Sequence, residues 1–253
     1  MIRQILRYFG IWPYVKYAKL RYFPSPQQTD EEKRLDERKK FYSQFIKPGE
    51  LCFDVGANIG NRSKVFLSMG CNVVAVEPQS ECVKILNLRF GKKIRLVKSA
   101  LGRSKGTALI YISDTSEISS LSSDWINAVS KSRFVGKKWD KQSKIDVTTL
   151  DSVITKYGLP AFCKIDVEGV EEDVIMGLST AIPVISIEYT APERIDNLRE
   201  CLNRFSSLGI FVTNYTLGER MSLEETSWIS ASELIEKIEQ KSTAGMYGDV
   251  YVR

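Results

Sequence analysis

The 253-residue chain contains no histidine. That excludes Ser-His-Asp and Cys-His mechanisms, histidine metal ligands and a histidine general base. Acid–base chemistry must fall to Asp, Glu, Lys, Tyr or Cys. Cysteine is sparse: Cys52, Cys71, Cys82, Cys163 and Cys201 are an odd number with no C-x-x-C pair. Cys52 and Cys163 sit in apolar runs that read as buried strands, which predicts reduced core thiols. No apolar run reaches the roughly 18 residues needed to cross a membrane. The N-terminus lacks the apolar core of about 7–15 residues and the small-residue cleavage site of a signal peptide. A cytoplasmic location is expected.

Charge is unevenly spread. The net charge is +5, and residues 1–23 hold Arg3, Arg7, Lys16, Lys19 and Arg21 with no acid. The rest is balanced, 31 cations against 31 acids. The excess is therefore local, not a basic nucleic-acid face, and no nucleic-acid partner is expected. The same segment carries seven aromatics, among them Trp12, Tyr14, Tyr22 and Phe23. On a helix, Ile2, Ile5, Leu6, Phe9 and Trp12 share one side, opposite Arg3 and Arg7. Two readings remain open: peripheral contact with an anionic membrane, or packing on its own domain or a partner subunit, including a second copy.

A helix is expected over residues 29–46, with Thr29 and Glu32 as a capping box. Beyond the Lys47-Pro48-Gly49 turn, strands and helices alternate almost to the end. Strands are predicted at Leu51–Val55, Asn72–Val76, Ile94–Ala100, Thr107–Ile112, Ile145–Thr148, Phe162–Val167, Val184–Tyr189, Ile210–Tyr215 and Asp249–Val252. Helices fall near 60–69, 80–89, 150–157, 170–178, 193–207 and 232–240, and residues 113–144 read as a long polar loop with one short helix. This is the α/β pattern of a mostly parallel sheet with helices on both faces. It predicts a helical extension over 1–45 and one domain over 46–253.

The first strand runs into Asp54-Val55-Gly56-Ala57-Asn58-Ile59-Gly60. Gly56 and Ala57 permit a tight turn and close ligand approach, and Gly60 opens the next helix, whose free N–H groups favour an anionic group. The second strand ends in Glu77-Pro78, 17 residues after Gly60. A carboxylate there can accept both hydroxyls of a ribose and leaves no space for a 2′-phosphate. The two features predict a nucleoside cofactor site. The glycine spacing departs from the G-x-G-x-x-G of NAD sites. Asp54, just before the first glycine, suits a cofactor with an ammonium group, as in S-adenosylmethionine.

Together, FDVGANIG, VEP, TTLD (148–151) and KIDVEG (164–169) resemble the FkbM family of S-adenosylmethionine-dependent methyltransferases over roughly 45–253. The resemblance implies a class I methyltransferase fold, Rossmann-like, with seven strands and an antiparallel last hairpin strand. It implies O-methyl transfer to sugars or natural-product scaffolds, and hence a role in glycan biosynthesis. It places Asp54, Gly56, Ala57, Asn58 and Gly60 at the methionine end, Glu77 and Pro78 at the ribose, and Ser99 and Ala100 at adenine. Many related enzymes have an acid where this chain has Ser99.

Opposite the glycine turn, Asp166 and Glu168 share one face at the end of a strand, and Glu188 ends its expected neighbour. Three carboxylates would crowd the cofactor edge. Asp166 is the first candidate for general base, with Glu168 and Glu188 orienting the acceptor hydroxyl; mutual repulsion should raise a carboxyl toward neutrality. Structural alternatives are that Glu168 caps the next helix and Glu188 pairs with a cation. A divalent-metal site from the same acids is the alternative, but no D-x-D loop or histidine supports it, and no metal is expected. Ser113, Ser116, Ser119, Ser120, Ser122, Ser123 and Trp125 suit a polyhydroxylated acceptor, or form a loop that touches nothing. Arg133, Lys137, Lys138 and Trp139 could face an acidic group but read first as a solvated charge run. The leading function is O-methyl transfer to a hydroxyl of a sugar, glycolipid or related acceptor. The alternatives are an NAD-dependent sugar-nucleotide oxidoreductase, disfavoured because no Tyr-x-x-x-Lys pair occurs, and a non-catalytic membrane or scaffold module.

Overall fold

Near-continuous apolar runs along its strands give the central sheet two buried faces. The computed structural model describes residues 5–7, 9–113, 118–209 and 212–253. In chain order the strands are β1 (Leu51–Val55), β2 (Asn72–Val76), β3 (Ile94–Val97), β4 (Ala100–Leu101), β5 (Gly106–Ile112), β6 (Lys141–Thr148), β7 (Phe162–Ile165), β8 (Val184–Ala191), β9 (Thr213–Tyr215) and β10 (Met246–Val252). The helices are α1 (Trp12–Tyr22), α2 (Pro26–Lys33), α3 (Leu35–Tyr42), α4 (Asn61–Ser68), α5 (Ser80–Phe90), α6 (Ser123–Val129), α7 (Leu150–Tyr157), α8 (Glu171–Met176), α9 (Ile195–Ser207) and α10 (Ala231–Lys241).

The main sheet has the order β3-β2-β1-β7-β8-β10-β9. Its pairs are parallel except for β10, which is antiparallel to both β8 and β9. The chain order reverses between β1 and β7, so a crevice opens there beyond the strands' C-terminal ends. One face of the sheet, with Phe53, Val55, Val74 and Ile165, packs on α7 to α10. The other, with Cys52, Val73, Ala75 and Phe162, packs on α3 to α5. Stripes such as Leu198, Cys201, Leu202 and Phe205 on α9 are what bind helix to sheet. All five cysteines are buried and free, as expected of core thiols.

Several local readings differ. The helix near Thr29 begins at Pro26, which is pre-set for a first turn. Thr29 is then interior, and its hydroxyl donates to the Ser25 carbonyl instead of capping. The third strand stops at Val97, and Ala100–Leu101 joins a second sheet of order β4-β6-β5. The polar stretch 113–144 supplies α6 and the start of β6, while residues 114–117 lie outside the described residues. The strand expected from Ile210 is described from Thr213, since 210 and 211 also lie outside. Ile2 of the N-terminal stripe and Arg3 opposite it are outside too. That stripe does not reach Trp12. Gly10 adopts φ +67, its N–H donates to Arg7 and that of Ile11 to Leu6, a pattern that ends a helix.

Candidate active site

Two clefts meet at the C-terminal edge of β1, β2, β7 and β8. The first, about 510 Å³, is lined by Gly56, Asn58, Glu77, Pro78, Ser99 and Ala100, with Ile110 and Leu121 from the second sheet and its loop. The second, about 980 Å³, is lined by Asp54, Arg62, Arg133, Lys164, Glu188 and Glu219 among others. Gly56, Asn58, Asp166 and Glu168 border both, so the clefts share a rim.

The glycine turn is shaped by close backbone approach. Gly56 has φ +80, and a Cβ there would lie 1.8 Å from the carbonyl oxygen of Asp166. Asn58 also takes a left-handed conformation, φ 49, which Asn tolerates better than most residues. Its N–H donates to Glu77 Oε2 at 2.8 Å, while Gln79 N–H donates to Oε1 at 2.7 Å. Glu77 is thus fixed by two backbone donors and is buried. Burial pushes its carboxyl up to about 7 despite those bonds, and the charge of Lys16 acts downward with them. Each oxygen keeps a second lone pair for a diol. Asp54 is buried with Ser63 Oγ donating to it at 2.5 Å, and burial raises its carboxyl. Gly60 is the left-handed cap of α4, and a Cβ would strike Phe90 at 2.4 Å.

One oxygen from each of Asp166, Glu168 and Glu188 lies within 4.8 Å of the others, close enough to hold one cation between them. Their surroundings differ. Asp166 is the more open, with 37% of its side chain exposed, and pairs with Lys164 Nζ at 3.3 Å. Lys164 is buried and also meets Asp249 on β10 at 2.9 Å. Burial alone would depress its ammonium, but Asp166 and Asp249 outweigh that and hold it well above the lysine range. Glu168 sits at φ 56, and its Oε2 is buried without a hydrogen-bond partner. Burial, then Glu188 and Asp166, push its carboxyl well above the usual range. Glu188 accepts from Arg133 at 3.0 Å, yet burial and Asp166 push it up to about 8.

The turn cap that is the structural alternative for Glu168 is made instead by Glu171, which accepts from Val167 and Gly169 N–H at 3.1 Å each. Arg133, read as part of a solvated run, instead faces Glu188 and stacks on Tyr247 at 3.6 Å. The serines fold their own loop. Ser120 donates to the Glu168 carbonyl, Ser119 accepts from Ser113 N–H, and Ser122 caps α6. Trp125 is buried, packed where a Cβ on Gly169 would lie 2.2 Å from it. Glu219, missed in the sequence, accepts from Arg62 at 2.5 Å; burial would raise it, but Arg62, then Lys164 and Arg38, bring it down to about 2.

The methyltransferase FkbM domain family matches residues 54–209. Among solved structures, the chain is similar to precorrin-6y C5,15-methyltransferase from Geobacter metallireducens, at 11% identity over 86% of this chain and 87% of that one, TM-score 0.44. It is similar to a TehB-like S-adenosylmethionine-dependent methyltransferase from Corynebacterium glutamicum, at 9% identity over 85% of each chain, TM-score 0.41. A third is Aeropyrum pernix fibrillarin with natively bound S-adenosyl-L-methionine, at 6% identity over 83% of this chain and 68% of that one, TM-score 0.44. No curated protein matches the chain significantly.

Proposed function

The chain belongs to the FkbM methyltransferase family and depends on S-adenosylmethionine, and from that premise we propose that it methylates a hydroxyl of a sugar, glycolipid or related hydroxylated acceptor. The observation that carries this reading is the carboxylate triad at the rim shared by the two clefts. When bound, the cofactor supplies an electrophilic methyl group on a sulfonium. The residues present fit it. Glu77 keeps free lone pairs for the ribose hydroxyls, Ser99 and Ala100 line the cleft's far side, and the Gly56 turn leaves the main chain open to the ligand.

The second cleft then takes the acceptor and, at Asp54, Gly56, Ala57 and Asn58, the methionine end of the cofactor. Its walls are charged groups of both signs, which suit a molecule with many hydroxyls better than an apolar one. Asp166 takes the proton of the reacting hydroxyl as its oxygen gains the methyl. Lys164, locked between Asp166 and Asp249, fixes that carboxylate in place. Glu188, pushed up to about 8, retains its proton near neutrality and donates a hydrogen bond that orients the acceptor, and Glu168, also pushed up by burial, faces the same hydroxyl.

The test combines calorimetry with methyl transfer to a panel of saccharides and glycolipids. Asp166→Asn should keep cofactor affinity within a few-fold and lower turnover by roughly 10²–10⁴, the range for a lost general base. Normal turnover in that variant would reduce Asp166 to a structural part. Wild-type activity abolished by a chelator would replace the proton-transfer reading with a metal one.

A further inference from the structure

We propose that α1 and the turn before it form a docking surface for a bilayer containing anionic lipid. Six of the nine large hydrophobic side chains exposed among the described residues lie between positions 5 and 23: Ile5, Phe9, Ile11, Tyr14, Tyr22 and Phe23, from 46% to 80% exposed. They are not a loose tail. Arg7 pairs with Glu81 of α5 at 2.8 Å, and Leu20 packs on Ile59, Cys82 and Ile85.

α1 is therefore apolar on two sides. At about 100° per residue, buried Pro13 and inward Leu20 fall together, whereas Ile11, Tyr14 and Tyr22 fall on the opposite side. Exposed Lys19 and Arg21 flank that outer side, one on each edge. The exposed Lys84 of α5 stands beside Gly10 and adds a cation. No acid occurs before Asp30. Aromatic side chains flanked by cations are the composition that lies in an anionic headgroup layer. The described helices are not long and apolar enough to cross a membrane, so attachment is at the surface. A second copy fits poorly, because it would set the same cations against each other.

The proposal stands apart from the acceptor reading and needs no turnover to test. The full chain is floated with phosphatidylcholine vesicles, with and without phosphatidylglycerol. It should rise only with the anionic vesicles and be released by salt. Lys19→Glu with Arg21→Glu should lower partitioning at least about thirtyfold, from about 1 kcal/mol per cation lost. Lys137→Glu with Lys138→Glu, the same change in net charge on an exposed loop, should leave it unaltered. Tyr14→Ser with Tyr22→Ser should also lower it. Absence of flotation at low salt would overturn the proposal, as would equal losses from the two charge pairs. So would a dimer in solution that Tyr14→Ser with Tyr22→Ser dissociates, since the face would then belong to a second copy.

Discussion

Cofactor affinity should depend on pH through Glu77. Burial holds this carboxyl near 7 rather than at its ordinary 4.5. Two ribose hydroxyls donating to it favour the charged form, so binding must lower that value and release a proton. With the bound value well below 7, affinity is divided by about 1 + 10^(7 − pH). The factor is about 2 at pH 7, about 11 at pH 6 and near 1 at pH 8. Affinity should thus rise roughly tenfold from about pH 6 to pH 8, equivalent to about 1.4 kcal/mol. Calorimetry in buffers of different ionisation enthalpy reads both the affinity and the proton released. Glu77→Gln cannot ionise and should lose the slope. It also leaves Asn58 or Gln79 N–H facing an amide nitrogen, so affinity should fall at all pH values and the fold should be checked by melting. A flat wild-type profile, or the same slope in Glu77→Gln, would refute the ribose role of Glu77.

Three further outcomes are expected. Gly56→Ala should fail to form the cofactor site, because its Cβ would lie 1.8 Å from the Asp166 carbonyl and its φ is +80; a variant that melts and binds cofactor like wild type would show that the loop can move away. Glu188→Gln should change the pH dependence of stability. Glu188 stands at about 8 folded against an ordinary 4.5, so the native state holds a proton that the unfolded chain has released, and stability falls as pH rises across that interval. The variant should flatten the fall in denaturant titrations; an unchanged curve would mean that Glu188 is not the group responsible. Arg133→Met removes the cation 3.0 Å from Glu188, so the alkaline limb of the rate profile should move to higher pH, and an unmoved limb would detach Glu188 from the acceptor.

The central sheet was legible because its signals are local. β1, β2 and β7 are short β-rich runs, each with a chemically distinctive residue at or just past its end, whereas β8 continues to Ala191 and holds Glu188, expected at its end, inside the strand. Gly56, Glu77 and the three acids could be placed at one edge from strand order alone. What was not legible depends on neighbours distant in sequence. Arg38, in the helix expected over 29–46, is buried and paired with Glu219 at 3.5 Å. Phe41, Tyr42 and Ile46 beside it complete the core against Phe66, Phe162 and Tyr251. The sequence shows the aromatic residues and the charges, but not that the helix lies on the sheet.

The same limit governs the carboxylates. Three acids in a cluster suggest mutual repulsion, which would treat them alike. The structure separates them by their partners. Asp166, which directly follows β7, has Lys164, a cation on that strand two residues earlier, readable as K-I-D once the strand face is known. Glu188 has Arg133, 55 residues away on a loop with no periodicity to place it. Glu168 has no partner for its buried Oε2, because Glu171 takes the backbone donors of the turn. The division of labour proposed for the acids, one accepting a proton and the other two orienting the acceptor, therefore rests on which acid has a cation and how deeply each is buried. Exchanging Asp166 and Glu168 in the sequence would leave the cluster's composition intact and remove that asymmetry.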